Sequence, residues 1–432
     1  MVRYVPTLGL MALVLLAALP NITPSRHPEI LVFSYLKFGM LCFCGAVLAY
    51  LAWSLKRPGF LFLNKVLFTA ALACLILSEI VLRFFPHRLP REWWMVMPAA
   101  ARKRAAEHTG LFVEEKLQGR GMLYAYRPGL KDPALPWLAV DANGYRNPRV
   151  PTETVDVVLL GDSLLIATGA KRDLGARFRQ DGMTAVNLGF GGYSPQHYLE
   201  AYRTYVATAG IPHRWVVVSL CLENDFIDAE RYRRIREENG DWRDYLGYDD
   251  GSGEEPAPFW QPMAFQAVGR LAYLRHRFRG GEKLVARLDS GRYALPADLF
   301  RPNFSGSGIQ WQEATTALKG IADLAREREA RLVLALMPTN GLLFGPFVEG
   351  HEQLIATLER EYLDLVARLG VAFSGVIVLD LTPTLREATA KNAVILDPLD
   401  NHFNDLGISR IYRELHRCMD ALASTGPSAE SE

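Results

Sequence analysis

Val155-Asp156-Val157-Val158-Leu159-Leu160-Gly161-Asp162-Ser163-Leu164 is the stretch on which the reading of this chain turns. Its first six residues form a short apolar run, the pattern of a strand buried in a parallel sheet. A glycine, a carboxylate and a hydroxyl follow at once, where such a strand ends. In open α/β sheets ligands bind outside the carboxyl ends of the strands, and the helix that follows offers unpaired N–H groups to a developing negative charge. The same residues also suit a plain helix start, because Asp and Ser are favoured caps.

Three further segments complete a pattern. Val186-Asn187-Leu188-Gly189-Phe190-Gly191-Gly192-Tyr193 follows a short apolar stretch, and its glycines let backbone approach a ligand closely or simply make a turn. Trp215-Val216-Val217-Val218-Ser219-Leu220-Cys221-Leu222 reads as another buried strand that runs into Glu223-Asn224-Asp225. An amide there serves an oxyanion or a turn. Asp397-Pro398-Leu399-Asp400-Asn401-His402-Phe403-Asn404 sets carboxylates and an imidazole before a C-terminal apolar helix.

These residue types belong together chemically. A serine hydroxyl is a poor nucleophile until a positioned imidazole takes its proton, and a carboxylate then holds that imidazole in the right tautomer. The tetrahedral intermediate needs preorganised donors. Asn224 and the N–H groups of Gly192 and Ser163 are the candidates.

In this order the segments resemble the SGNH (GDSL-type) hydrolase superfamily, whose four blocks are marked by Ser, Gly, Asn and His. Here those are Ser163, Gly192, Asn224 and His402, and the match runs from Val155 to the C-terminus. The resemblance implies an α/β fold, a three-layer α/β/α domain with a parallel sheet, and a serine esterase or acyltransferase. Tyr126-Arg127-Pro128-Gly129, Asn143-Gly144-Tyr145-Arg146 and Leu379-Asp380-Leu381-Thr382-Pro383 look like segments of its bacterial membrane-anchored members. Two departures stand out. The superfamily's usual acid lies three residues before the histidine, where this chain has Leu399. The resemblance to the anchored members, which commonly carry Asp-x-His, points to Asp400, with Asp397 as the alternative. Glu223 also stands before Asn224 where many relatives have glycine.

With 432 residues, 50% of them hydrophobic, the chain is long and apolar enough for a large core plus membrane spans. Its net charge of +1 argues against a nucleic-acid partner. The five cysteines, Cys42, Cys44, Cys74, Cys221 and Cys418, form neither a disulfide framework nor a metal-ligand spacing. No cofactor and no metal is expected, since GxGxxG, HExxH and CxxC patterns are all missing from the sequence.

Residues 30–55 and 61–85 are each long and apolar enough to cross a bilayer core, which takes about 20 residues. Glu79 near the end of the second calls for a partner such as Arg83, one turn along. Residues 5–20 read as a third, retained span or as a signal peptide; retention is the expectation. Lys56, Arg57 and Lys65 flank the connection between the longer spans, which predicts that the connection is cytoplasmic and the rest of the chain extracytoplasmic. Arg83, His87, Arg88 and Arg91 weigh the other way.

The expected organisation is a membrane anchor of two to three transmembrane helices over 1–85, a lead-in over 86–151 and a catalytic domain over 152–432. Strands are predicted at 155–160, 183–188, 215–222, 331–337 and 376–381, and helices at 310–328 and 352–369. A charged interruption at about 227–304 reads as a lid, a polymer groove or a surface excursion, and Arg270 to Arg279 as a basic aromatic helix. Trp93 and Trp94 suit the membrane interface. Arg146 is expected to pair with a surface carboxylate or to reach the cleft.

The function this supports is a membrane-anchored serine esterase or acyltransferase acting on ester-linked acyl groups, acetyl foremost, of an envelope or exported glycan. Its partners are then the lipid bilayer, an acylated glycan or ester substrate and a membrane acyl-donor protein. A non-catalytic glycan-binding or assembly protein on the same fold is the alternative from another class. A lipid esterase is the third.

Overall fold

The computed structural model describes residues 4–8, 10–11, 47–54, 57–85, 88, 101, 112–113, 121–130, 139–149, 153–166, 170, 172–247, 283–300, 308–392, 394–397 and 400–424. Two compact units are present, Met1–Thr109 with Leu246–Gly281, and Gly110–Tyr245 with Glu282–Glu432. Most of the candidate spans at 5–20 and 30–55, the tryptophan pair at 93–94, the acidic loop at 249–256 and the stretch 270–279 lie outside the described residues.

In the first unit the principal element is α1 (Pro58–Phe84), opened by proline, which lacks the N–H that a helix start leaves unpaired. Over Phe62–Phe84 it is long and apolar enough to cross a membrane by length and composition. Phe62, Leu77 and Phe84 are largely exposed along it. Glu79 and Arg83 form the expected pair, at 2.8 Å. Polar side chains gather at one buried point: the Asn64 amide donates to Thr7 Oγ1 at 3.1 Å and to Ser54 Oγ at 2.7 Å, joining three separate stretches of chain.

The second unit is built on a five-stranded parallel sheet. In chain order its strands are β1 (Val155–Leu160), β2 (Ala185–Asn187), β3 (His213–Cys221), β6 (Arg331–Met337) and β7 (Ile377–Asp380). Two hairpins supply the intervening β4 (Lys283–Leu288) with β5 (Gly291–Pro296), and β8 (Ile395–Asp397) with β9 (Asp400–Phe403). Across the sheet the order is β2-β1-β3-β6-β7. Val157 to Leu160 and Val216 to Val218 are wholly buried, as continuous apolar strands covered on both faces should be.

The principal helices are α2 (Ser163–Ile166), α3 (Leu174–Gln180), α4 (Pro195–Tyr202), α5 (Asp225–Glu237), α6 (Gly308–Glu327), α7 (Glu352–Ala372), α8 (Thr382–Lys391) and α9 (Asp405–Ser424), with short helices at Trp242–Gly247 and Asn340–Phe344. α4, α5 and α6 pack on one another, and α9 packs on both α3 and α8. With right-handed crossovers these groups cover opposite faces, giving the expected three layers. The five strands fall within two residues of their predicted positions. The interruption at 227–304 is different: residues 227–237 continue α5, which packs on α6 as part of a helical layer, and 283–296 form the β4–β5 hairpin.

The strand order places a topological switch between β1 and β3: the chain leaves β1 toward β2 and returns past it to β3. A crevice opens at such a switch beyond the carboxyl ends. Leu160 pairs in register with Val218, so both strands present their ends to that crevice.

Candidate active site

Ser163 opens α2 immediately beyond β1 and is half-buried. The turn is close-packed and residue 161 is glycine: a Cβ there would stand 2.9 Å from Ser219 Cβ and 3.0 Å from Leu165 Cβ. The capping role belongs to Asp162, whose Oδ1 accepts from the Leu164 N–H at 2.9 Å. Asp162 therefore takes the ordinary structural task at this turn.

The glycine block lies against the serine. A Cβ built on Gly191 would be 3.9 Å from Ser163 Cβ, and the Phe190 N–H donates to Gly161 O at 3.1 Å. Gly192 sits at φ +78°. Tyr124 tethers the loop from below by donating to Gly191 O at 3.1 Å. Its ring meets Phe190 and Tyr193 edge-on, both at 5.1 Å, and Tyr193 stacks on His197 at 4.8 Å. Burial pushes the His197 imidazole down to about 3, and its Nδ1 accepts the Ser194 N–H at 3.1 Å, so it is a neutral part of the packing. Among the described residues, the N–H groups of Ser163 and Gly192 meet no acceptor. Two of the three candidate oxyanion donors are thus open.

The third is engaged. Asn224, at the entrance to α5, points its amide at two carboxylates, donating to Asp228 Oδ2 at 2.7 Å and at 3.4 Å to Asp162 Oδ2. Asp228 Oδ1 is in turn paired with Arg231 Nη1 at 2.9 Å. Next to Asn224, buried Asp225 accepts from Tyr198 Oη and the Cys221 N–H, both at 2.7 Å, which fixes the start of α5 to the end of β3. Burial, reinforced by the charge of Asp162, holds the Asp225 carboxyl well above its ordinary range. Removing the amide should hurt twice. Asn224→Ala is expected to lower kcat by about 10² to 10³-fold, the usual effect of losing an oxyanion donor, and also to lower the thermal midpoint, because two carboxylates lose a donor. Turnover and unfolding measured on one preparation check both.

Burial is also the main reason that the Asp162 carboxyl rises to about 6; Asp228 adds to the rise, while the Leu164 N–H, His402 and Asn224 oppose it. Between the ordinary aspartate range and that value the folded protein keeps a proton that the unfolded chain has released. Stability from this group therefore falls as pH rises through that window, by about 3 kcal/mol at most for a shift of some two units. Asp162→Asn should flatten this part of the pH–stability curve between pH 4 and 7. An unchanged slope in thermal unfolding would refute the assignment.

His402 comes to the same place from the far end of the chain. β9, which carries it, packs against α2, and Asp162 is within electrostatic reach of the imidazole. The hairpin is closed by antiparallel pairing of Ile395 with Phe403 and of Asp397 with Asp400, and α9 starts behind it, where the Gly407 N–H donates to Asn404 Oδ1 at 3.0 Å. The side chains of Asp400 and Asp397 lie outside the described residues. Among the described residues no cluster of metal-ligating side chains occurs.

Sequence reasoning missed Asp228 and the buried partner of Arg146 in the lead-in. Arg146 is not at the surface: it is buried and paired with Asp173, itself buried. The signal for Asp228 was a carboxylate one helical turn beyond Asn224; the signal for Arg146 was only its place after a tight turn.

No family model and no curated protein matches this chain. Among solved structures it is similar to a chain from Bacteroides fragilis NCTC 9343 assigned as an acylhydrolase, with 13% identity and a TM-score of 0.29, covering 63% of this chain and 91% of that one. It is likewise similar to a GDSL-like lipase from Bacteroides thetaiotaomicron VPI-5482, with 10% identity and a TM-score of 0.29, covering 62% and 88%. Neither likeness bears on activity at these scores.

Proposed function

We propose that this protein is a membrane-anchored serine esterase or acyltransferase of the SGNH type, acting on ester-linked acyl groups, acetyl foremost, of an envelope or exported glycan. The observation that carries the reading is the meeting of Ser163, the Gly191-Gly192 pair and the His402-bearing strand at the switch point of the sheet. Ser163 Oγ attacks the ester carbonyl while His402 takes its proton. The N–H groups of Ser163 and Gly192 face the oxyanion, and Asn224 joins them when its amide turns from the carboxylates that hold it in the resting site. Collapse expels the alcohol, which leaves with the proton from His402. The acyl group then passes to water in an esterase, or to a sugar hydroxyl in a transferase, with His402 as base for the second step. Asp400 orients the ring in this scheme, and Asp397 is the alternative.

Placement outside the cytoplasmic membrane is supported by Arg57 and Lys65 at the start of α1. Retention of the first span is supported by the Asn64–Thr7 bond, since a cleaved leader has no need of a buried polar clasp. The glycan and a membrane acyl-donor partner follow from the resemblance to anchored glycan-modifying members. The test is a screen of acetylated and longer-chain aryl esters and of acetylated glycans against the full chain. Preference for short acyl chains supports the proposal, and turnover of long-chain esters alone favours a lipid esterase.

One observation favours the non-catalytic reading, in which the fold binds a glycan or serves assembly: the Asn224 amide is held by carboxylates. A fluorophosphonate probe separates the two. Folded wild-type protein in which Ser163 stays unmodified would be a binding module.

A further inference from the structure

We infer that Arg146 is a positioning residue for Ser163, clamping at Ile166 the helix that the serine opens. The inference rests on the nucleophile proposed above. α2 is described over Ser163–Ile166. Arg146 reaches into it from the lead-in: Nη1 donates to Ile166 O, three residues beyond the serine. From the same guanidinium Nε reaches Asp173 Oδ2 at 3.1 Å, and the two side chains are only 5% and 2% exposed. Asp173 caps α3 through the Ala176 N–H at 2.6 Å. One planar fork therefore ties the nucleophile helix at Ile166 to the entrance of the next helix.

The clamp has its own support. Asp141 Oδ1 accepts the N–H groups of Asn143 at 2.8 Å and Tyr145 at 3.0 Å, and its Oδ2 accepts from Asn147 Nδ2 at 2.8 Å. Gly144 is required in that turn: it has φ +88°, and a Cβ would come within 2.3 Å of Tyr126 O. Asn147 then grips the glycine block, accepting from the Asn187 N–H at 2.8 Å and donating to Asn187 O at 3.0 Å. Asn187 Oδ1 accepts the Gly189 N–H at 2.8 Å. Adjacent residues 146 and 147 thus hold the serine block and the glycine block, and the lead-in is part of the site's scaffold.

The test compares wild type with Arg146→Lys, which keeps the charge and loses the fork, and with Asp173→Asn, which keeps the cap and loses the charge that anchors the fork. On the full chain in detergent, three quantities are read: fluorophosphonate labelling at Ser163, kcat and KM on an aryl acetate, and amide hydrogen exchange at 162–166. A slightly misplaced nucleophile loses on the order of 10²-fold. The expected result is that loss in labelling rate and kcat, with KM and the shape of the pH profile unchanged and exchange faster at 162–166. Variants that melt earlier yet label and exchange at 162–166 as wild type does would overturn the inference, leaving Arg146 a stability residue only. If Arg146→Lys does not fold, Asp173→Asn decides alone. Wild type that is never labelled at Ser163 would defeat the nucleophile reading instead, and the exchange data would still tell whether Arg146 holds the turn.

Discussion

Ser163→Ala is expected to lower turnover of an activated acetyl ester by at least about 10⁴-fold, to the level left by binding and the oxyanion donors alone. Loss of a nucleophile is usually hard to separate from loss of fold, but here the structure separates them. The cap of α2 comes from Asp162, through its bond to the Leu164 N–H, so the serine hydroxyl is not needed to start the helix. Alanine is the best helix former and fits the first helical position. The variant should therefore melt within about 1 kcal/mol of wild type, in line with substitutions that disturb no special feature. It should also lose covalent labelling by a fluorophosphonate completely. The measurement is steady-state turnover on protein shown to be folded by thermal unfolding. Retention of more than a tenth of the activity would remove Ser163 from the mechanism and return the Gly-Asp-Ser turn to an ordinary helix start.

What made this much readable from sequence was the coincidence of two local signals at each block. A continuous apolar run gives a buried strand, and a small polar residue straight after it gives a cleft residue. Val155 to Ser163 and Trp215 to Asn224 carry both, and the observed register of Leu160 opposite Val218 follows from burying both runs in one sheet. Where only one signal is present, the reading weakens. Lys283-Leu284-Val285-Ala286-Arg287-Leu288 alternates inward and outward as a hairpin strand should, yet it sat inside a charged interruption and was absorbed into it. The helix continuing from Asp225 carries Arg231, Arg233, Arg234 and Arg236, and their charge masked its place in a packed layer.

Partnerships between distant side chains were not readable at all. Nothing local says that Arg146 will be buried against Asp173, or that the amide of Asn224 will be shared by Asp162 and Asp228. Such pairings are decided by tertiary packing, where a buried charge must find an opposite one or shift its protonation.

The acid is the remaining choice, and the second large effect follows from it. Asp400→Asn is expected to cost about 10³ to 10⁴-fold in kcat, the scale seen when an imidazole loses the carboxylate that selects its tautomer. Asp397→Asn should stay within about tenfold of wild type. The argument is one of position. Asp400 and His402 are two apart on β9, and a strand sets positions two apart on the same face. Asp397 is the register partner of Asp400 on the neighbouring strand, three residues further from the histidine along the chain. Asparagine is the right replacement, because it keeps the size of the side chain and removes its charge, so a loss in kcat at unchanged thermal midpoint reports on the imidazole alone. The reverse pattern, a large loss for Asp397→Asn and little for Asp400→Asn, would transfer the orienting role to Asp397. Small losses for both would leave Asp162, the buried carboxylate already within electrostatic reach of His402, as the group that balances its charge, and Asp162→Asn would then carry the large effect.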